Sequence, residues 1–352
     1  MSELLVPPTF SDALMLAKKA HLRYISDKVK GYKRQRNDKE FIYFNTRGEK
    51  IKDPITISRI EQLVIPPAWE DVWISPDHNS HIQATGKDEK GRKQYIYHEE
   101  WNKMCQQNKF DKMVFFGYSL PKIRRKVREH MASNGLSKEK ILATLVWLLS
   151  NTFIRIGNEE YAKENNSYGL TTLRSKHIDF DGTTSVTLSF KGKSGVEHIV
   201  EVTNPKVIKT IKKCIELPGY ELFKYVDENG KRKIVDSAEV NDYLRDITGE
   251  DVSAKYFRTW GGTVLSAETL HKCGPYENKV ALKKNLNQAV KEVSQHLRNT
   301  TTVCRCYYIH PTIITSYEKQ TLIPHFEKSI KKGEKYPGLT MHEYATLTLL
   351  ER

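Results

Sequence analysis

The chain has 352 residues, 38% of them hydrophobic, with 5 Trp, 18 Tyr and 12 Phe. This composition excludes an intrinsically disordered chain. The length leaves room for two domains, because one hydrophobic core rarely extends over more than roughly 250 to 300 residues. Lys and Arg number 57 against 43 Asp and Glu, a net charge of +14, which favours a polyanionic partner, with nucleic acid ahead of an anionic membrane surface.

The N-terminal part of the chain shows the pattern of a β-sheet. FIYF at 41–44 and the turn NTRG that follows it predict a hairpin, and VWIS at 72–75 predicts another strand. Residues 81–98 have strand composition at both ends and a polar, glycine-containing turn in the middle. We therefore predict a sheet-rich N-terminal domain.

Beyond about His98 the pattern becomes helical. Residues 101–113 are polar and can hold a linker, so we place a domain boundary near residue 104. This predicts an N-terminal domain at 1–104 and a C-terminal domain at 105–352.

The C-terminal part predicts helices around one small antiparallel sheet. Ser137 can cap a helix that leads into the apolar run 141–156. Strict alternation in SVTLSF at 185–190 predicts a half-buried strand. The predicted fold class is therefore α+β. Further helices are predicted at 204–215, 237–248 with Ser237 as cap and Gly249 as stop, 253–272, 278–298 and 340–352.

Positive charge is spread along the chain in four clusters. Spread clusters can line one groove after folding, whereas the alternative is the solvated surface of a merely basic protein. The clusters are Lys28–Arg36, Lys122–Arg128, Lys206–Lys213 and Lys328–Lys335.

The five cysteines are scattered and odd in number, which indicates a reducing compartment rather than a disulfide framework. The N-terminus has no basic segment ahead of an apolar core, so we expect no secretory signal. The longest apolar stretch, 141–149, is too short to span a bilayer and is typical of a buried helix. We therefore expect an intracellular protein without a membrane partner.

Three short motifs suggest other chemistry, but their surroundings disfavour it. GKS at 192–194 lacks the preceding glycine of a phosphate-binding loop, and a strand rather than a helix follows it. DFDGT at 179–183 resembles the nucleophile motif of haloacid-dehalogenase-type phosphatases, but an Asp-Gly hairpin turn explains the same residues. Cys304, Cys306 and His310 lack the partner cluster that a metal site needs.

The segment NTTTVCRCYYIH at 299–310 places two tyrosines just after an arginine. A tyrosine pair is usually half-buried packing, but a tyrosine can also attack a phosphodiester. Phenol, with a pKa of about 10, is a far better leaving group than an alkanol, so an aryl phosphate ester can be reversed without ATP. The reaction needs guanidinium groups on the non-bridging oxygens and an acid for the departing oxygen, but no metal.

Four separated segments match one family in the expected order. They are FIRIGNEEYAKENNSYGLTTLRSKHI at 153–178, FKGKSG at 190–195, KYFRTWGG at 255–262 and NTTTVCRCYYIHP at 299–311. Together with matching N-terminal segments at 22–27, 65–76 and 83–98, they resemble the poxvirus and bacterial type IB DNA topoisomerases.

The resemblance implies a two-domain protein whose β-rich N-terminal domain and mainly helical catalytic domain clamp duplex DNA. It also implies relaxation of supercoiled DNA through a transient 3′-phosphotyrosyl bond in one strand, without ATP, metal or another cofactor.

The same resemblance implies roles for three cationic residues. Arg155 and Arg258 match the two arginines that hold the scissile phosphate. The alternative is that both are surface arginines in salt bridges. Lys193 matches the general acid for the 5′ oxygen, and crowding by other cations lowers the proton affinity of such a lysine. A lysine in a turn is otherwise simply solvated.

The tyrosine pair is assigned in the same way. Arg305 stands three residues before Tyr308, as an arginine stands before the nucleophile in poxvirus members, so Tyr308 resembles the nucleophile and Tyr307 a packing neighbour. Asn299 occupies the position of a poxvirus histidine, and bacterial members are similar in having asparagine there. An amide can donate a hydrogen bond to a non-bridging oxygen but cannot transfer a proton.

Further residues match DNA contacts of the family. In the N-terminal domain, strand alternation puts two of these side chains, Tyr95 and Tyr97, on one face. Tyr161 fits a DNA contact or a core tyrosine equally well. The set comprises Arg92, Gln94, Tyr95 and Tyr97 in the N-terminal domain and Tyr161 and Lys255 in the C-terminal domain.

Two alternatives remain beside the topoisomerase. A tyrosine recombinase shares the chemistry but normally has a histidine three residues before the second arginine, where this chain has Lys255. A basic DNA-binding protein could keep the fold without catalysis. We expect a monomer on double-stranded DNA, associated with DNA in a bacterial cell, or in a virion and its host cell.

Overall fold

The structure, a computed structural model, describes residues 10–37, 40–331 and 336–352. The first nine residues and part of the basic cluster Lys328–Lys335 lie outside the described residues. The chain divides into two compact units, Met1–Asp111 and Lys112–Arg352. The division falls within one continuous helix, so the boundary near residue 104 stays a prediction.

The first unit is built on a five-stranded antiparallel sheet with strand order β2-β1-β3-β4-β5. This confirms the sheet-rich N-terminal domain and the hairpin at 81–98. The elements are α1 (Phe10–Lys19), β1 (Tyr32–Asn37), β2 (Glu40–Phe44), α2 (Pro54–Gln62), β3 (Glu70–Ile74), β4 (Ile82–Lys87) and β5 (Lys93–Tyr97).

A small apolar core holds α2 against this sheet. Ile60 of α2 packs with Val72, Ile74 and Ala84 of β3 and β4, and all four are buried. Asp53 starts α2 by accepting hydrogen bonds from the first backbone N–H groups, which have no helical partner.

The NTRG turn reverses the chain as predicted, with Ile51 N–H donating to the Tyr43 carbonyl at 2.8 Å, but the hairpin that it forms is short. β2 pairs mainly with the preceding β1, while the NTRG turn leads only to an isolated bridge between Phe44 and Lys50. β1, YKRQRN, is too charged to be recognised as a strand. Its Arg34 stacks over Phe41 at 4.2 Å and donates to the Ile65 carbonyl at 3.1 Å, so its charge serves the fold of the unit.

The second unit is mainly helical, with a three-stranded antiparallel sheet in the order β6-β7-β8 and a two-stranded sheet of β9 and β10. The α+β class is thereby confirmed. Helix α3 (Glu99–Ala132) begins in the first unit and continues into the second. The other helices are α4 (Lys138–Thr152), α5 (Glu159–Asn165), α6 (Pro205–Glu216), α7 (Ser237–Thr248), α8 (Lys255–Cys273), α9 (Lys279–Leu297), α10 (Thr301–Tyr307), α11 (Pro311–Glu318), α12 (Leu322–Lys331) and α13 (Met341–Leu350). The strands are β6 (Ile178–Asp181), β7 (Ser185–Lys191), β8 (Glu197–Val202), β9 (Lys224–Val226) and β10 (Arg232–Ile234).

The segment 101–113, predicted as a linker, is helical throughout, because α3 runs through it without a break, and the division between the two units falls inside it. Trp101, Cys105, Phe110 and Met113 of α3 are buried, at intervals of three to five residues that are close to one helical turn. Of the polar residues between them, Lys109 is buried as well, while Lys103, Gln107 and Asp111 are exposed.

Helix α8 lies at the centre of the second unit. Gly117 of α3 packs so closely that a Cβ there would lie 2.6 Å from Trp260 of α8 and 2.7 Å from Leu347 of α13. The apolar run of α4 is buried from Ile141 to Val146, as predicted, and Ser137 caps that helix.

One predicted helix cap is shifted by a residue. The N-cap of α7 is Asp236, in a capping box with Glu239, and not Ser237. Gly249 ends α7 with φ 79°, as predicted. Among the described residues, no helix is both long enough and apolar enough to cross a membrane.

Glu343 joins three helices of the second unit. Arg124 of α3 donates to both of its carboxylate oxygens, at 2.7 and 2.8 Å, and Trp260 Nε1 of α8 donates at 3.3 Å. Burial opposes ionisation of Glu343, but the hydrogen bonds and charge of Arg124 lower its pKa below the ordinary value.

We expect Glu343→Ala to lower the free energy of unfolding by about 3–5 kcal/mol, because it leaves Arg124 and Trp260 without their acceptor. Glu129→Ala, which removes an exposed partner of Lys126 in α3, should leave the free energy of unfolding nearly unchanged, because water screens an exposed ion pair. Urea unfolding of both variants measures the difference, and equal costs would contradict it. Because the folded pKa is lowered, the contribution of Glu343 is complete above about pH 4.3 and is lost as the pH falls through the folded pKa.

Candidate active site

Tyr308 lies directly after the short helix α10 and is only 4% exposed. Its backbone N–H donates to the Cys304 carbonyl at 3.0 Å, and its own carbonyl accepts from Thr263 Oγ1 of α8 at 3.3 Å. Gly262 allows this approach, since a Cβ there would lie 2.7 Å from the Tyr308 carbonyl oxygen. Helix α8 thus fixes the backbone of Tyr308.

Arg258, one turn before Gly262 on α8, lies against the Tyr308 ring at 5.1 Å. Its Nη1 donates to the Phe153 carbonyl and its Nη2 to the Leu297 carbonyl at 2.7 Å. Burial lowers the pKa of Arg258 to about 10, and the charge of Arg155 adds to this, while a hydrogen bond with the Tyr308 side chain opposes it. Arg258 therefore remains charged at neutral pH.

Arg155 lies in the loop after α4, and two glycines shape that loop. Gly157, with φ 102°, and Gly169 pack so closely that a Cβ on Gly169 would lie 2.5 Å from the Gly157 backbone. The Arg155 carbonyl accepts from Leu170 N–H at 2.9 Å. This contact holds Arg155 so that its Nη2 donates to Asn299 Oδ1 at 3.0 Å.

Two buried donors in this cluster have no hydrogen-bond partner among the described residues. They are Nε of Arg258 and Nδ2 of Asn299. Buried donors are nearly always paired, and an unpaired one costs roughly 1–3 kcal/mol. Arg258 lies against the Tyr308 ring and Asn299 binds Arg155, so an oxyanion that accepted from these two unpaired donors would complete the arrangement.

Lys193 lies in the turn between β7 and β8, in a 3₁₀ segment at Lys193–Gly195. The turn is closed by a hydrogen bond from Gly192 N–H to the Val196 carbonyl at 2.8 Å. His198 of β8 lies against this turn, where a Cβ on Gly192 would be 2.6 Å from its Nε2. Its burial and the charges of Arg298, Arg155 and Arg258 lower the pKa of His198 to about 4.

The other two candidate residues of the second unit lie on helices. Lys255 is the first residue of α8, and its Nζ lies 5.5 Å from the centre of the Tyr256 ring. Tyr161 belongs to α5, but its side chain lies outside the described residues.

The first unit, described by itself, holds the remaining candidates on β5 and the turn before it. Tyr95 and Tyr97 share one face as predicted, with their rings stacked at 5.8 Å and 6°. Arg92 and Gln94 both bind the Asp88 carboxylate, Arg92 at 2.6 Å and Gln94 at 3.0 Å. This acid holds both polar side chains at the turn that joins β4 and β5.

Several groups of the cluster were missed by sequence reasoning. The carbonyls of Phe153 and Leu297 leave no trace in the side-chain pattern, because every residue has one. A visible signal was the pair Gly261–Gly262 inside a helix, since glycine there usually marks a close contact. Gly261 indeed faces the Phe153 ring.

The disfavoured motifs have structural roles. Asp179 and Asp181 lie on β6, which pairs antiparallel with β7, so the parallel crossover of a phosphatase is absent from this part of the described chain. Cys304 is buried and Cys306 exposed, and His310 caps α11. Over the residues that are described, no group of three His, Cys, Asp or Glu could hold a metal ion.

Comparison with known protein families identifies the class. Residues 98–336 match the family described as eukaryotic DNA topoisomerase I, catalytic core. Residues 40–88 match the bacterial DNA topoisomerase IB N-terminal domain.

Individual relatives agree with this match. The chain is 33% identical over 298 residues to DNA topoisomerase 1B of Acanthamoeba polyphaga mimivirus, covering 82% of this chain and 88% of that protein. It is 24% identical over 273 residues to DNA topoisomerase 1B of vaccinia virus strain Copenhagen, covering 76% of this chain and 79% of that protein. DNA topoisomerase 1 of Mycosarcoma maydis is 29% identical over 204 residues, which are 53% of this chain and 19% of that protein.

The chain is therefore an enzyme of the DNA topoisomerase I class, an isomerase that acts on DNA. Within that class it belongs to the type IB family, with the small two-domain organisation found in bacteria and poxviruses.

The two carbonyls bound by Arg258 lead to a stability prediction. Lysine has one nitrogen where arginine has a planar fork, so Arg258→Lys cannot serve both Phe153 and Leu297. We expect a loss of about 1–3 kcal/mol in the free energy of unfolding. Arg305→Lys, a matched change at an exposed arginine of α10, should stay within about 0.5 kcal/mol. Urea unfolding of both variants is the measurement, and an Arg258→Lys protein as stable as Arg305→Lys would contradict the assignment.

Proposed function

We propose that this enzyme relaxes supercoiled duplex DNA by cutting and rejoining one strand, with Tyr308 as the nucleophile. The observation that carries the proposal is the pair of unpartnered buried donors, Arg258 Nε and Asn299 Nδ2, in the cluster around the Tyr308 side chain. A phosphodiester anion would satisfy both donors and be placed next to the phenol.

In this proposal the Tyr308 oxygen bonds to phosphorus as the bond from phosphorus to the 5′ oxygen breaks. Arg155 and Arg258 neutralise the non-bridging oxygens, whose charge increases in the transition state. The phenolic proton passes to water, and Lys193 supplies a proton to the 5′ oxygen. The products are a 3′-phosphotyrosyl bond and a free 5′-hydroxyl.

The burial of Tyr308 suits the second half of the reaction. At 4% exposure bulk water has little access to the tyrosyl ester, which slows its hydrolysis, while a single water is enough to carry the phenolic proton away. The broken strand rotates about the intact one, and the 5′-hydroxyl then attacks phosphorus and releases the tyrosine. The ester keeps the bond energy, so the cycle requires neither ATP nor metal.

The partner in this proposal is double-stranded DNA, bound by a monomer. Tyr161, Lys255 and, in the first unit, the surface around Tyr95 and Tyr97 are proposed as further DNA contacts. Phosphate contacts by a chain of net charge +14 should make binding weaken steeply with salt. The enzyme would act wherever the DNA is held, in a bacterial nucleoid, or in a virion and its host.

The first test compares Tyr308→Phe with Tyr307→Phe, the same change at the adjacent residue. Positively and negatively supercoiled plasmids are incubated with each protein in EDTA and without ATP. We expect the parent and Tyr307→Phe to relax both plasmids, while Tyr308→Phe relaxes neither but still binds DNA, because only its phenol forms the ester. A plasmid that is bound but never relaxed by the parent would contradict the proposal, and strand exchange between two duplexes would indicate a recombinase.

The second test addresses Asn299. Asn299→Asp keeps the acceptor for Arg155 but replaces the unpartnered donor with a negative charge, so we expect cleavage to slow by about 10²–10³-fold. Asn299→His restores a ring N–H donor and should retain more activity than Asn299→Asp. Single-turnover cleavage of a labelled duplex measures both. Unchanged cleavage by Asn299→Asp would exclude a donor role.

A further inference from the structure

Arg298 joins two segments of the candidate active site that are far apart in sequence. It ends α9 in the left-handed conformation, with φ 50°, directly before Asn299. Its Nη1 donates to the Glu197 carbonyl at 2.6 Å and its Nη2 to the Ile199 carbonyl at 2.7 Å. One guanidinium thus bridges two carbonyls of β8.

These carbonyls lie on the open side of the small sheet. β8 is the edge strand in the order β6-β7-β8, and edge carbonyls have no partner strand to hold them. Arg298 takes the place of such a strand at this position. A planar fork that spans two acceptors fixes both distance and direction, which a single ammonium cannot do.

From β8 the contact continues to the turn that carries Lys193. His198 lies between Glu197 and Ile199, the two residues whose carbonyls bind Arg298, and is 4% exposed. Its ring stacks on that of Phe190 in β7, with 4.8 Å between the ring centres and 10° between the ring planes. Its Nε2 lies against Gly192, where a Cβ would be 2.6 Å away. Gly192 directly precedes Lys193, so the position of the His198 ring limits where this turn can lie.

We infer that Arg298 is a positioning residue that places the Lys193 turn relative to Asn299 and the phosphate site. The inference rests on the proposed function, in which Lys193 protonates the 5′ oxygen. Acid catalysis requires the donor within hydrogen-bond reach of that oxygen. If Arg298 no longer binds the two carbonyls of β8, the β7–β8 hairpin can shift. Arg155, Arg258 and Tyr308 would keep their own contacts.

The test uses two duplexes that differ by one atom at a cleavage site mapped with the parent enzyme. One has the natural 5′ bridging oxygen and the other a bridging sulfur. A thiolate is the conjugate base of an acid with pKa about 8.5, so sulfur leaves without a proton, whereas the oxygen needs one. A variant that is impaired only in proton donation should therefore cleave the oxygen duplex slowly and the sulfur duplex at about the parent rate.

We expect Arg298→Asn to slow cleavage of the oxygen duplex by roughly 10–100-fold, since a small misplacement of a catalytic group can cost about 10²-fold. Cleavage of the sulfur duplex should stay within about 3-fold of the parent rate, because its leaving group needs no general acid. Asparagine tolerates the left-handed conformation, so the change removes the guanidinium without adding backbone strain. Arg298→Lys should show a smaller defect of the same kind, and it serves as the variant if Arg298→Asn does not fold.

Two further variants calibrate the comparison. Lys193→Ala should show the same oxygen-only defect in stronger form, and Arg305→Asn, at the exposed arginine of α10, should show no defect. Equal slowing on both duplexes would mean that Arg298 supports the fold or phosphate binding, and it would overturn the inference. Normal cleavage of the oxygen duplex would overturn it as well.

The same experiment separates this inference from the proposed function. If the parent cleaves neither duplex, or if Tyr308→Phe cleaves either one, the proposed function fails. If the parent cleaves both through Tyr308 and Lys193→Ala shows the oxygen-only defect, only the Arg298 result decides the positioning role.

Discussion

The second unit is organised around a buried positive charge, the guanidinium of Arg258. A charge taken out of water is strongly destabilising unless its donors are paired. The carbonyls of Phe153 and Leu297 take two of these donors, and both stand at helix C-termini, those of α4 and α9. Such carbonyls lack intrahelical partners and carry the negative end of the helix dipole, so they stabilise a cation at this point.

The same contacts bring the candidate active site together. By binding the ends of α4 and α9, Arg258 brings the segments that follow them, with Arg155 and Asn299, into one place. These two residues then bind each other at 3.0 Å. Helix α8 also fixes Tyr308 through Thr263 and the space at Gly262. The charge that stabilises the packing of the helices is thus the charge that, in our proposal, would receive a phosphate, and its Nε is left open for it.

The rest of the molecule supports this arrangement from further away. Glu343, Arg124 and Trp260 connect the far side of α8 to α3 and α13, so a change there should act on stability. Arg298 connects the sheet to the end of α9 and, in our inference, acts on proton transfer alone. The two groups of contacts are therefore distinguishable by experiment, the first through the free energy of unfolding and the second through the rate of cleavage. In both, an arginine binds oxygen acceptors.

The sequence by itself determined the α+β class, the sheet-rich first unit, the buried helix α4 and the shared face of Tyr95 and Tyr97, because these follow from hydrophobic period and turn chemistry. Its short motifs also predicted the residues of the candidate site through family resemblance. The tertiary structure decided what periodicity cannot show. It made the polar stretch 101–113 part of one continuous helix that runs through the division between the two units, which the many polar residues between its buried positions did not reveal. It made the charged segment YKRQRN a strand, because Arg34 finds an aromatic ring and carbonyls within its own unit. It also selected the carbonyls that hold Arg258 and Arg298, which no side-chain pattern encodes because every residue has the same backbone acceptor.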